Sequence, residues 1–402
     1  MGVLTAFLPA PGTVAALTWS TAFRTIGRGM FLPVSVIYFT GPVGLSAMEV
    51  GFGLSFAAVF GFLGGLAAGR LSDLRGPRGV TLLFSVATSL LTCGYVVVDG
   101  LAAFVLVTTL TTFTAAAEQT ARSALIGVAL PHERRVQVRA YLRAVTNVGL
   151  SLGGLGAAFA LHHQGRAVYL GMMLGCSVCY LAGALLILRV PPVEAAGKPD
   201  DGPIRLVLRD RPYITITLLN AALSLHGGLL TVALPLWVVQ RTSAPAAVVA
   251  LLIMFNTVAV TMLQVPLSRG SESVVGAARA QRRSGWFLLM SCLLFALSTG
   301  LSSWVAVVVL VAGASAHVAG ELFQAAGSWG LSYELAPARS IGTYQGVYGM
   351  GYQLADLLAP ALLVAAVIGW GQAGWVLIGV IFLIAGALVP PVARRAIAAA
   401  GA

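Results

Sequence analysis

Residues 69–78 read Gly69-Arg70-Leu71-Ser72-Asp73-Leu74-Arg75-Gly76-Pro77-Arg78. This short basic turn separates two apolar runs, 48–69 and 79–98. Each run is long enough to cross the hydrocarbon core of a bilayer as a helix, which takes about 20 apolar residues. The same alternation continues outward in both directions. It predicts spans at 14–39, 48–69, 79–98, 101–128, 141–161 and 167–189, then at 213–240, 245–267, 285–299, 303–330, 341–367 and 372–393. The expected class is an all-α membrane protein with twelve transmembrane helices.

Composition supports that class. The 402 residues are 58% hydrophobic and 9% charged, and mean hydropathy is +0.92; soluble domains carry about 25% charged residues. At about 30 residues per span and connection, the chain has room for roughly a dozen helices and no separate soluble catalytic domain. Forty-seven glycines suit close helix contacts in lipid. The four cysteines, Cys93, Cys176, Cys179 and Cys292, all fall within apolar runs, which points to packing rather than a disulfide or redox site. No basic residue occurs in 1–11, and the first apolar run continues into a full span, so no cleavable signal is expected.

The net charge of +11 matters less than its placement. Nineteen of the 24 basic residues fall between spans on one side, two (Arg166, Arg241) on the other, and Arg24, Arg28 and Arg122 within spans. Basic loops stay cytoplasmic, so both termini are expected in the cytoplasm, with the protein in the cytoplasmic membrane. The polar stretch 191–212 reads as a cytoplasmic linker between domains at 1–190 and 213–402. Within it, Ile204–Arg209 is either a short interfacial helix or part of a disordered linker. At an offset of 203, Glu118 matches Glu321 and Tyr141 matches Tyr344, a faint sign of two parallel repeats.

The 69–78 turn resembles the loop signature of the major facilitator superfamily, G-x-L-a-D-r-x-G-r-r. Gly69, Leu71, Asp73, Gly76 and Arg78 match; Leu74 and Pro77 stand where basic residues are common. Leu130-Pro131-His132-Glu133-Arg134-Arg135, Arg143 and Asn147-Val148-Gly149 resemble the corresponding region of the twelve-helix drug:proton antiporter branch, as do Ala336-Pro337 and Gly342-Thr343-Tyr344-Gln345-Gly346. The resemblance implies two six-helix bundles around a central cavity, a small-molecule substrate and often proton coupling. It also implies that Gly69, Asp73, Gly76 and Arg78 form a conformational-switch loop: Gly69 allows close approach, and Asp73 faces the positive end of span eleven, tethered by Arg78. The antiporter pattern in span five is incomplete, because Gly149 and Gly153 fit while Gly154 replaces the proline and Ala157 and Ala158 the final glycines.

Ionisable groups at membrane depth cost about 2.5–3.5 kcal/mol each on insertion scales, so each needs a reason. Span one carries Thr21, Arg24, Thr25, Arg28 and Ser35; span four Thr111, Thr114, Glu118 and Arg122; span ten His317, Glu321, Gln324 and Ser328; span eleven Gln345, Tyr348, Tyr352 and Asp356. Glu321 is the first candidate for proton coupling, with His317 as modulator and Glu118 and Asp356 following. Arg24, Arg28, Arg122, Tyr348 and Tyr352 are the candidates for substrate binding. Several blander readings stand beside these: Glu118 with Arg122 as a structural pair, Arg24 and Arg28 paired to Glu118 or Glu49, Asp356 as an interhelical contact, and His226 as a buried structural histidine. Asn256, Thr257, Thr261 and Gln264 read as helix-to-helix hydrogen bonding.

A carboxylate in a low-dielectric cavity exchanges a proton when water reaches it from alternate sides. ATP coupling within the chain is not expected, since the only lysine, Lys198, precedes Pro199 and no phosphate-binding loop occurs. The expected function is therefore proton-coupled export of amphiphilic drugs or metabolites by a monomer in lipid, without cofactor, metal or nucleic acid. Import of a small nutrient is the alternative. Gly149-Leu150-Ser151-Leu152-Gly153 satisfies G-x-S-x-G, so an intramembrane serine hydrolase is a remote rival, as is a sensor that transports nothing.

Overall fold

The computed structural model describes residues 12–163, 165–193 and 207–400. Twelve long helices account for most of it: α1 (Thr13–Thr40), α2 (Ala47–Arg75), α3 (Pro77–Gly94), α4 (Leu101–Ala129), α5 (His132–His163), α6 (Arg166–Ile187), α7 (Arg211–Arg241), α8 (Ala247–Ser268), α9 (Val274–Leu297), α10 (Ser303–Glu334), α11 (Ile341–Trp370) and α12 (Gln372–Ala400). Ten are apolar and long enough to cross a membrane. The other two, α1 and α9, hold arginines, Arg24 and Arg28 in one and Arg279, Arg282 and Arg283 in the other. Large apolar side chains lie on the outer surface, with Met48 84% and Trp304 83% exposed, as a surface solvated by lipid requires.

Several boundaries differ from the sequence expectation: α2 runs on to Arg75, so residues 69–75 of the expected turn are helical, and the two largest differences are at helix starts. Helix α5 begins at His132 rather than 141, and α9 at Val274 rather than 285, so Arg134, Arg135, Arg139, Arg279, Arg282 and Arg283 lie on helical extensions and not in loops. Hydropathy marks where a helix leaves lipid, not where its backbone hydrogen bonds stop. A further difference is in α7, expected as one unbroken span. It runs regularly over Arg211–Ser224, breaks at 225–226 just before Gly227 and Gly228, passes through a π turn at Leu229–Ala233 and ends as Leu234–Arg241. Irregular backbone at membrane depth is tolerated where it is buried in protein or lines water. Of the linker expected at 191–212, residues 194–206 lie outside the described residues, including the first half of the Ile204–Arg209 segment; 207–209 are helical.

The chain forms two compact units. One gathers the described residues of Met1–Pro131, Leu142–Ile204 and Pro337–Val347. Its aromatic core, Tyr38, Phe39, Tyr95, Phe104 and Tyr169, closes around α1, α4 and α6. Glycines of α5 let it approach α1: a Cβ on Gly153 would strike the Ile26 carbonyl, and one on Gly149 the Thr25 hydroxyl. Ser151 lies between them on continuous helix and donates to the Asn147 carbonyl (2.9 Å), so the G-x-S-x-G run lacks the strand-to-turn setting of a nucleophile elbow.

The other unit gathers the described residues of His132–Tyr141, Arg205–Ala336 and Tyr348–Ala402. Its core includes Trp237, Phe295, Trp375 and Phe382, and the Trp237 indole donates to the Phe295 carbonyl at 3.0 Å. At the start of α5, Arg135 approaches Glu334 at 3.9 Å, and the Arg139 guanidinium lies 5.7 Å from the Tyr333 ring and 5.9 Å from that of Trp329. By contact, the first turns of α5, His132–Tyr141, group with the second unit, and those of α11, within Pro337–Val347, with the first.

Candidate functional site

In the first unit, Glu118 on α4 sits between two guanidiniums. Arg122 Nε donates to Glu118 Oε1 at 2.6 Å, and Arg24 Nη1 lies 3.5 Å from Oε2. Arg122 also donates to Ser20 Oγ (2.9 Å), which donates to the Gly183 carbonyl on α6 (2.7 Å). Glu118 and Arg122 are both buried, and this end of Arg122 is engaged by Glu118 and Ser20. Arg24 is one-fifth exposed and Arg28, one turn on, is exposed. Glu49 is not the partner of either arginine: it closes a capping box with Ser46 at the start of α2.

The second unit holds the repeat-related carboxylate in other company. Glu321 on α10 accepts from Asn256 Nδ2 on α8 at 2.8 Å, and His317 Nδ1 lies 3.8 Å from its Oε2. His317 Nε2 bonds the backbone carbonyl of His226 at 3.1 Å, where α7 is broken. Further along α10, the Gln324 amide donates to Asn220 Oδ1 (2.8 Å) and Ser224 Oγ (3.1 Å). Gln281 on α9 also donates to Asn220 Oδ1 (3.1 Å). Ser328 donates to the Tyr348 hydroxyl (3.1 Å) and pairs with that of Tyr352 (2.5 Å). Tyr348 is buried and Tyr352 half-buried, whereas Asp356, one turn beyond Tyr352, is exposed.

The switch-loop residues divide into two contacts. Asp73 caps the start of α11: Oδ1 accepts from Gly342 N (2.7 Å), and Oδ2 from Thr343 N (2.8 Å) and Oγ1 (2.6 Å). A carboxylate is favoured there because the first amides of a helix lack intrahelical acceptors. Gly69 and Gly342 make the approach possible, since a Cβ on either would run into the other's carbonyl oxygen. Arg78 does not tether Asp73. It donates to the Leu188 carbonyl at 2.6 Å and so caps the end of α6. Gly76 adopts φ 85° between α2 and α3, a conformation that favours glycine.

Sequence reasoning therefore placed Glu118 with Arg122 and His317 with Glu321 by their four-residue spacing, and missed Asn220, Gln281 and the full part of Asn256. Single amides in apolar spans carry no periodicity; only their membrane depth could have marked them. An apolar groove lined by Phe56, Phe60, Val105, Leu106 and Phe113 holds none of these ionisable groups.

Twelve long helices, ten of them apolar and long enough to cross a membrane, with buried carboxylates and polar networks among them, define a polytopic membrane protein. The chain belongs to the Major Facilitator Superfamily, whose family profile matches residues 17–360. It is 22% identical over 301 residues to an uncharacterized MFS-type transporter, YhjO, of Bacillus subtilis (strain 168), covering 73% of this chain and 71% of that protein. The fold is similar to that of the human organic anion transporter MFSD10, with a TM-score of 0.66, 17% identity, and coverage of 94% of this chain and 98% of the other. It is also similar to the proton:xylose symporter XylE, with a TM-score of 0.68, 14% identity, and coverage of 93% and 94%.

Proposed function

We propose that this transporter is proton-coupled and exports amphiphilic molecules, with a preference for those bearing a carboxylate, from a cytoplasmic membrane in which both termini face the cytoplasm. The observation that carries the reading is the contrast between the two repeat-related carboxylates. Glu118 is held by two guanidiniums, whereas Glu321 meets an amide and an imidazole, groups that accommodate it with or without a proton. The likeness to a proton:xylose symporter agrees with proton coupling, and that to an organic anion transporter with an acidic substrate. Import of a small nutrient is the second reading, favoured by Gly154 in place of the antiporter proline. The test is flux by purified protein in liposomes under an imposed pH gradient. Uptake into vesicles driven by an acidic interior supports antiport; uptake down the proton gradient supports symport, and no proton-dependent flux in either sense rejects coupling.

Substrate charge is read in the same assay. Arg28→Ala is expected to weaken acidic and zwitterionic substrates roughly ten- to hundred-fold, the worth of a charge-assisted hydrogen bond, and to spare lipophilic cations. Arg24→Ala is expected to act in the same direction, since its guanidinium is the more exposed of the two on Glu118. Equal loss of all substrates, or loss of folded protein reversed by neutralising Glu118, would assign the arginines to structure instead.

Asp73 is proposed to act on the conformational switch. Both carboxylate oxygens accept from α11, so Asp73→Asn turns one acceptor into a donor facing a donor. Gly69→Leu pushes a side chain into the Gly342 backbone, an overpacking cost of about 1–3 kcal/mol. Both variants are expected to slow turnover about tenfold with little change in substrate affinity, because they alter the population of one state rather than the binding groups. Lost affinity at normal maximal rate would refute the assignment.

A further inference from the structure

The geometry points to a site for a divalent first-row transition-metal ion, of the zinc class, formed by His226, His317 and Glu321. All three side chains are buried, and one ligand atom of each lies within 4.8 Å of the other two. Two come from adjacent turns of α10 and the third from the break in α7.

The tautomer of His317 carries the argument. Its Nε2 faces the His226 carbonyl at 3.1 Å, and a carbonyl only accepts, so the proton of the neutral ring is on Nε2. The lone pair is then on Nδ1, directed at Glu321 Oε2 at 3.8 Å, a separation too long for a hydrogen bond and suited to a cation held by both. Metal-bound histidines commonly donate their second ring N–H to a backbone carbonyl in this way. A third donor is in place: the His226 ring centroid lies 5.3 Å from that of His317, and one of its nitrogens falls within reach of the same carboxylate.

Donor spacing and type select the ion. Two ligands at about 2.0–2.1 Å from a tetrahedral zinc are roughly 3.3 Å apart, so closure needs movement on the order of 1 Å, which the non-helical backbone beside Gly227 and Gly228 permits. Two imidazoles and a carboxylate suit zinc, cobalt or nickel. Magnesium and calcium require oxygen-rich shells, and copper(I) prefers sulfur, whereas the cluster contains no cysteine. Asn256, donating to Glu321 Oε2 at 2.8 Å, positions the carboxylate from outside the donor set. A bound ion would tie α10 to α7. The inference goes beyond proton coupling, because coordination requires no proton gradient.

The experiment uses the full chain, purified in detergent with any affinity tag removed, and Co²⁺ as a spectroscopic probe. The wild type is expected to show the visible ligand-field bands of a low-symmetry cobalt site at one ion per chain, displaced by Zn²⁺ and not by excess Mg²⁺. His226→Ala, His317→Ala and Glu321→Gln should each weaken binding on the order of 100-fold or more, and Asn256→Ala about tenfold, the range for outer-shell partners. Replacing His132, His162 and His163 together by alanine should leave the spectrum unchanged; these are the chain's remaining histidines. Bands that persist in His226→Ala and Glu321→Gln, or vanish in the triple surface variant, would overturn the site. If the alanine variants are not monodisperse, His226→Gln and His317→Gln serve with Zn²⁺-induced thermal stabilisation as readout, and stabilisation equal to wild type rejects the site. Cobalt binding without proton-dependent flux would retain this site and reject coupling, and the converse result would do the reverse.

Discussion

Glu321→Gln is expected to abolish proton-driven accumulation while downhill exchange of the same substrate stays measurable. The amide side chain keeps the shape of the carboxylate and an oxygen that accepts from Asn256 Nδ2, now 2.8 Å from Glu321 Oε2, so the α8–α10 contact survives. What it lacks is a proton-carrying oxygen. Accumulation under a pH gradient should collapse to the equilibrium distribution, and counterflow at uniform pH should persist. His317→Gln is expected to shift the pH at which coupling fails without removing it, because His317 approaches the carboxylate at 3.8 Å but does not replace it. Unchanged pH-dependent transport in Glu321→Gln would move the coupling role to Glu118 or Asp356.

The number and order of the helices were legible because a span is a local property: about 20 apolar residues bounded by charge. Helix ends were less so. Arg134, Arg135 and Arg139 look like loop residues by charge, yet they occupy the first turns of α5, where Arg135 meets Glu334 and Arg139 meets Trp329 and Tyr333 of α10. The break in α7 left only Gly227-Gly228 as a trace, and glycine is common throughout this chain. At the site, pairs four residues apart were readable on one helix, as with Glu118 and Arg122. Contacts between helices were not: nothing local distinguishes Glu118 from Glu49 as partner of Arg24, or shows that Asn256 reaches Glu321. Asp73 is the exception, because the family resemblance carried the tertiary contact with α11; even there, the same resemblance misassigned Arg78, whose partner is the end of α6.

Glu118→Gln carries the largest expected cost in stability, and it is the same substitution that Glu321 is expected to tolerate. Removing the charge leaves Arg122, buried and 2.6 Å away, and Arg24, mostly buried, as neighbouring cations without their shared counter-charge. Breaking one member of a buried pair costs about 3–5 kcal/mol, since the partner's desolvation is no longer offset. Thermal unfolding in detergent should show a clear loss, and yield of monodisperse protein should fall with it. The double variant Glu118→Gln, Arg122→Met should recover most of that loss, because exchanging a whole buried pair for groups of similar size is often neutral or stabilising. Arg24, one-fifth exposed, then keeps access to water. Recovery in the double variant would show that the destabilisation comes from the orphaned cation rather than from a missing contact with α4. A Glu118→Gln protein as stable as wild type, but unable to couple flux to protons, would instead make α4 the proton-carrying helix and leave Glu321 as its structural counterpart.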